Sequence, residues 1–274
     1  MVTKNLVRRA ARVPETLNEF ISSVWYRNMV RIKAVIFNHN QRQTAEVLFE
    51  QLRGTFDTAL FDSGSEPKEI SPRSTHRFEN LYWTGCWNKS WEVFADYDVI
   101  WGIGGDCTLK SQAKEYLQAI EAMFPFGTWS PVVSGRAHEY MQPHLADGKI
   151  YSVIYLEGIA MAISKPLWSK ISRFDSLNYI GHAQDLVSCF YSRANNLKNI
   201  LDGRVELFHP GTIQYDLEEA RVLMFESLER QFGKNWSDVL DWWWGRRITF
   251  ASNAVSRIEL IGAQQHHTCP FNSK

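Results

Sequence analysis

Three short apolar runs, each closed by polar or glycine residues, organise the first half of the chain. "IKAVIFN" (32–38) is almost wholly apolar, the pattern of a strand buried on both faces. "QRQTAEVLFEQLRG" (41–54) places Ala45, Leu48, Phe49 and Leu52 on one helical face and stops at Gly54. "DTALFDSGS" (57–65) is a second strand running into a turn-rich segment. Strand, helix and strand at this spacing predict a βαβ unit. After a polar loop (66–80), "NKSWEVFADY" (88–97) predicts a helix, "DVIWGI" (98–103) a strand and "LKSQAKEYLQAIEAMF" (109–124) a further helix. "WSPVVSG" (129–135) reads as an edge strand, because Pro131 removes a ladder donor.

In the second half, "KIYSVIYLEGIAMAIS" (149–164) is long for one strand, and Gly158 marks a break or bulge. "AQDLVSCFYSRANNLKNIL" (183–201) reads as a helix and "GRVELFHP" (203–210) as a strand stopped by Pro210. "DLEEARVLMFESLERQFG" (216–233) is an amphipathic helix, and the aromatic tail around "DWWWGRR" reads as helical. Residues 1–30 form a helical appendage with Leu17, Phe20, Ile21, Val24 and Trp25 at helical spacing. It packs on the main domain, or it presents a basic amphipathic face for peripheral contact with anionic lipid.

Composition narrows the class. The 274 residues suit one large domain or one domain with appendages, and 45% hydrophobic with 22% charged content is ordinary for a globular protein. Zero formal net charge gives no global field toward nucleic acid, so none is expected as a partner. No apolar run is long enough for a membrane span, and the first 20 residues lack the apolar core of a secretory signal. Cys86, Cys107, Cys189 and Cys269 form no CxxC pair, which fits reduced thiols in a cytoplasmic protein, with membrane association as the alternative the basic N-terminal face leaves open.

In an open α/β sheet, ligands sit beyond the carboxyl ends of the strands. That rule selects Asn38, His39 and Asn40; Asp62 to Ser65; and Gly104, Gly105 and Asp106. No GxGxxG follows the first strand, and GxxxxGK[ST], GxSxG and HExxH are all missing. A phosphorylated ligand then needs another source of positive charge. A divalent cation on Asp106 would supply it, since Mg²⁺ commonly takes one or two carboxylates plus substrate phosphates.

The order "VIFNHN … LFDSGS … DVIWGIGGD" resembles the nucleotide-sugar half of GT-A glycosyltransferases of the broad family-2-like kind. The resemblance implies a GT-A-like α/β fold, a Rossmann-like nucleotide-binding mixed sheet flanked by helices, with helical N- and C-terminal appendages. It divides the chain into 1–30, a catalytic domain over 31–215 (a nucleotide-sugar half, 31–135, and an acceptor half, 136–215) and a C-terminal segment over 216–274. It implies that Asn38, His39, Asn40 and Asp62 bind the donor nucleotide, and that Gly104, Gly105 and Asp106 stand where the family has a DxD motif for metal and diphosphate. Gly104 replaces the first acid of that motif. "YLEGIAMAISKPLWSKISRFDSLNYIGHAQDL" is similar to the family's acceptor side, with Gln184-Asp185 in place of an "ED" pair, so that Asp185 matches the catalytic base. Glu157, Gly158 and His182 would line the acceptor site, and His209 of "LFHP" matches a late-strand His that reaches metal or diphosphate in some members.

What is implied is transfer of a sugar from a UDP- or GDP-sugar to a hydroxyl of a glycan or glycoconjugate, with Mn²⁺ or Mg²⁺ as cofactor and with inversion, a retaining course with His209 as metal ligand being the alternative. An acceptor hydroxyl must lose its proton as it attacks, which a positioned carboxylate serves. Two alternatives stay open: a nucleotidyltransferase that makes a nucleotide-sugar, and a non-catalytic nucleotide- or sugar-binding module on the same fold. Each residue also has a plain structural reading: Asp106 as a turn residue or cap of the 109–124 helix, Asp185 as a first-turn acid, Asp62 as a turn residue, and His209 as a strand-end His bound to backbone. Glu157, inside an apolar run, needs a partner if buried. His266 and His267 read as solvated tail.

Overall fold

The computed structural model describes residues 30–135, 146–211 and 215–240. The N-terminal appendage, most of the 134–148 loop, "DWWWGRR" and His266-His267 lie outside them. The elements are β1 (Ile32–Asn38), α1 (Arg42–Leu52), β2 (Asp57–Ser63), β3 (His76–Phe78), α2 (Tyr82–Val93), β4 (Val99–Gly104), β5 (Thr108–Leu109), α3 (Ala113–Met123), β6 (Thr128–Gly135), β7 (Ile150–Val153), β8 (Ala162–Ser164), α4 (Lys165–Ile171), α5 (Gln184–Ala194), β9 (Asn199–His209) and α6 (Leu217–Phe232). Among the described residues nine strands form one mixed sheet in the order β3-β2-β1-β4-β8-β6-β9-β5, with β7 paired to the first part of β9.

Both faces of the sheet are covered, which is why β1 shows no alternation. Ile32, Ala34 and Ile36 pack with Ala45, Leu48 and Leu52 of α1 and with Tyr116 and Ile120 of α3. Val35 and Phe37 point the other way, against Trp87 and Trp91 of α2 and Leu167 of α4. In β4, Gly102 admits the Trp87 ring: a Cβ there would lie 2.6 Å from it. The central strands β2, β1 and β4 are parallel, with Asn38 opposite Asp62 and Phe37 opposite Gly104. Their carboxyl ends therefore finish at one edge, and the order turns around at β1, where an open α/β sheet forms its crevice.

Several expectations change. Pro131 is not on an edge strand. β6 runs between β8 and β9, and the register with β9 shifts just after Pro131, so a bulge accommodates the missing donor. The 88–97 helix starts earlier, at Tyr82, and ends at Val93, with Thr84, Trp87 and Trp91 on its buried face. The 109–124 helix starts at Ala113, where Gln112 and Glu115 form a capping box, while Thr108–Leu109 pair with β9. Asp106 consequently caps nothing there. Residues 183–201 divide into α5 and the start of β9. The 149–164 run is β7, a 3₁₀ turn at Gly158–Ala160 and β8, so Gly158 does mark a break. The 66–80 loop carries β3, which extends the parallel sheet beyond β2.

Candidate functional site

At the ends of β1 and β2 the polar residues bind one another. The Asn38 amide is fully buried; its Nδ2 donates to Asp62 Oδ2 at 2.9 Å, and its Oδ1 accepts from Gln41 N at 3.0 Å. Asp62, also buried, accepts from Ser65 N at 3.2 Å. These two side chains face the protein and build the rim. His39 and Asn40 lie nearer the surface. His39 Nδ1 is 2.7 Å from Ser63 O and Nε2 is 3.2 Å from Asn40 Nδ2, which assigns the proton to Nδ1. Asn40, at φ +56°, takes Glu66 N on its Oδ1 at 2.8 Å. The two loops thus form one laced wall of the crevice.

The end of β4 forms the other wall. Gly105 N donates to Phe37 O at 2.9 Å, and a Cβ on Gly105 would lie 2.9 Å from that oxygen, so the close approach to β1 requires glycine. Asp106 follows, mostly buried, with Oδ2 3.4 Å from His209 Nε2 at the end of β9. Burial, and then the charge of Asp106, hold the Cys107 thiol well above its usual range. Among the described residues no group of three or more His, Cys, Asp or Glu forms a metal cage. A carboxylate beside an imidazole nevertheless suits Mn²⁺ or Mg²⁺ whose other positions are taken by phosphate oxygens and water.

Asp185 is held at the start of α5. Tyr155 Oη–H donates to Asp185 Oδ2 at 2.5 Å, Gly158 N donates to the same oxygen at 3.1 Å, and Leu186 N donates to Oδ1 at 2.8 Å. The Gly158–Ala160 turn lies between Asp185 and the end of β4: a Cβ on Gly104 would come 3.8 Å from Ile159 O. The structure therefore places Gly158 and Asp185 alongside the Gly104–Asp106 strand end. Glu157 is half-buried in the loop before the turn, not inside a strand. Burial, followed by the charges of Asp185 and Glu157, raises the Tyr215 phenol above its usual range. His182 is half-buried, and its carbonyl accepts from Asn178 Nδ2 at 2.9 Å.

Gln184, the neutral member of the Gln184-Asp185 pair, turns inward. It is 4% exposed, and its Nε2 donates to Thr84 Oγ1, which donates to Asn178 O. A neutral amide suits that anchor, because a carboxylate there would be a buried charge facing a hydroxyl. Gly181, at φ +85°, makes the turn into α5 against the Trp83 ring.

No protein-family model matches the sequence, and no curated protein matches it. The shape does have matches. The chain superposes on TarS of S. aureus, solved with UDP-GlcNAc, with TM-score 0.57 and 12% identity over 83% of this chain and 75% of that one. It superposes on the mannosyltransferase PcManGT of Pyrobaculum calidifontis, solved with GDP-Man and Mn²⁺, with TM-score 0.51 and 12% identity over 80% and 70%. The fold is that of the GT-A glycosyltransferases. GalNAc-T7, solved with UDP, GalNAc and Mn²⁺, shares this GT-A fold with TM-score 0.54 and 10% identity over 68% of this chain, which spans only 45% of that one. Among the described residues no helix of this GT-A chain is long and apolar enough to cross a membrane.

Sequence reading did not single out Tyr155, Tyr215 or Trp83. Tyr155 had one available signal: it stands two residues before Glu157, and alternate residues of an extended segment share a side. Trp83 and Tyr215 had none, because their neighbours at the site come from distant parts of the chain.

Proposed function

We propose that this protein is a glycosyltransferase that moves a sugar from a nucleotide diphosphate-sugar to a hydroxyl of a glycan or glycoconjugate, with inversion and with Asp185 as general base. The observation that carries the reading is the placement of a tethered carboxylate, Asp185, beside the turn that borders the Gly104–Asp106 strand end. Solved structures of the same fold hold UDP, UDP-GlcNAc or GDP-Man, two of them with Mn²⁺. His39, Asn40 and Ser65 face the nucleotide, and buried Asn38 and Asp62 hold that wall in shape. Gly104 and Gly105 leave room for the diphosphate. Asp106 and His209 would hold a divalent cation, which supplies positive charge against the leaving diphosphate. Asp185 takes the acceptor proton as the hydroxyl attacks the anomeric carbon, and Glu157, His182 and Tyr215 surround the acceptor.

Two measurements test this. UDP or GDP with Mn²⁺, at ~100 times its Kd, stabilises the fold by about 2.7 kcal/mol. In Asp106→Ala the increment that depends on Mn²⁺ disappears in a thermal-shift titration, while the unliganded melting temperature stays near wild type. If the Mn²⁺ dependence survives the substitution, Asp106 is not a ligand. Gly158→Ala tests the acceptor side. A Cβ there would meet Asp185 Cβ at 3.5 Å and Trp83 Nε1 at 3.7 Å, ordinary contacts that the fold tolerates. The methyl group occupies space next to the base, so acceptor KM rises about tenfold with donor binding retained. An unchanged acceptor KM removes Gly158 from the site.

A further inference from the structure

The two oxygens of Asp185 are not equivalent. Oδ2 accepts from the Tyr155 hydroxyl and from the Gly158 amide, from two different segments, whereas Oδ1 accepts among the described residues only from Leu186 N, the next residue in the chain. A carboxylate oxygen has two lone pairs. Those of Oδ2 are both engaged, and among the described residues one remains on Oδ1. We infer that Tyr155 is a positioning residue for the base: with Gly158 it fixes Oδ2, sets the plane of the carboxylate and leaves Oδ1 as the oxygen that accepts the acceptor's proton. In the step, the hydroxyl O–H bond breaks and its proton passes to Oδ1. The acceptor oxygen bonds the anomeric carbon, and the bond to the diphosphate breaks with its electron pair.

The Tyr155 side chain suits this task. Its ring is half-buried and packs against the core, so its hydroxyl is delivered from a supported ring. The other donor, Gly158 N, sits on a turn that the core also anchors, since Trp101 Nε1 donates to Ala160 O at 3.0 Å. A donor fixed at each side of Oδ2 restricts rotation of the carboxylate about its last torsion, which is otherwise broad. Preorganisation of this kind acts on turnover more than on substrate binding.

This inference rests on Asp185 being the base, and the experiment separates the two. Release of UDP or GDP is measured with UDP-GlcNAc and GDP-mannose as donors, Mn²⁺ present and water as acceptor. The enzymes are wild type, Tyr155→Phe, Asp185→Asn and the double variant. Phe keeps the ring and loses only the hydroxyl. The expected result is a fall in kcat of about tenfold for Tyr155→Phe, with donor KM within about twofold. In the Asp185→Asn background the same change has no further effect, because its route runs through the carboxylate. A purely structural Tyr155 would lower the melting temperature and reduce both backgrounds by the same factor, which would overturn the inference. So would a Tyr155→Phe enzyme with wild-type kcat beside a crippled Asp185→Asn. If Asp185→Asn keeps wild-type turnover, or wild type releases no nucleotide from either donor, the base assignment itself falls and this inference with it.

Discussion

Asp185→Asn lowers sugar transfer by about 10²–10⁴-fold while nucleotide-sugar binding persists. The substitution keeps the shape of the side chain and one carbonyl oxygen, which can still accept from Tyr155 and Gly158. What it removes is the ability to take a proton from the acceptor hydroxyl. Asp185 is half-buried on the first turn of α5, and the anchoring of that turn runs through neighbouring Gln184 to Thr84 on α2. The variant therefore folds, and its melting temperature stays within a few degrees of wild type. Initial rates with titrated donor check both halves of the expectation: kcat collapses and donor KM does not. A plain first-turn acid that complements the helix dipole would contribute only about 0.3–1 kcal/mol of stability and no rate at all.

The largest stability effect is expected at Trp101. The side chain is fully buried in the middle of β4, stacked on Tyr116 with centroids 5.3 Å apart and set edge-on to Trp129 at 6.0 Å. Trp101→Ala deletes the indole from a close-packed layer and leaves the Ala160 carbonyl without its donor. Truncating a buried Trp costs about 3–5 kcal/mol, and the orphaned carbonyl moves the cost to the upper end. Domains of this size have about 5–15 kcal/mol in total, so the variant is marginally folded. Urea denaturation reads this as a large drop in midpoint. Trp101→Phe keeps most of the packing and loses the hydrogen bond, for a cost of roughly half as much or less. Equal midpoints for the two variants would mean that packing of the indole contributes little. Because Ala160 ends the turn that presents Gly158 to Asp185, core damage at Trp101 also reaches the site.

Much of the first half was legible because burial periodicity and turn chemistry are local. The run 32–38 had to be a strand covered on both faces, and the glycines after Ile103 had to mark its neighbour's end. Helix limits were less legible where side chains serve two purposes. Trp83 and Trp87 resemble loop aromatics in sequence yet lie in α2, where Trp87 fills the gap left by Gly102. Pro131 misled for the same reason: it forbids one ladder bond, and the break in register with β9 just after it, where the partner passes from Asp202 to Glu206, absorbs that loss.

At the site the division is sharper. Asn38, Asp62, Asp106 and Asp185 were selected by their positions after strands or at a helix start. Which of them face a ligand was not selected. Asn38 and Asp62 bind each other, separated by 24 residues, and Asp185 receives the hydroxyl of Tyr155 from 30 residues away. His209 meets Asp106 because β9 runs parallel to β6 and ends at the same edge, opposite Gly135. Sequence by itself determined the alternation of strands and helices and the chemistry available at each strand end, because both follow from neighbours within one or two turns of chain. Strand order and register decided which of those groups meet, because contacts between residues tens of positions apart depend on how the whole sheet buries its two faces.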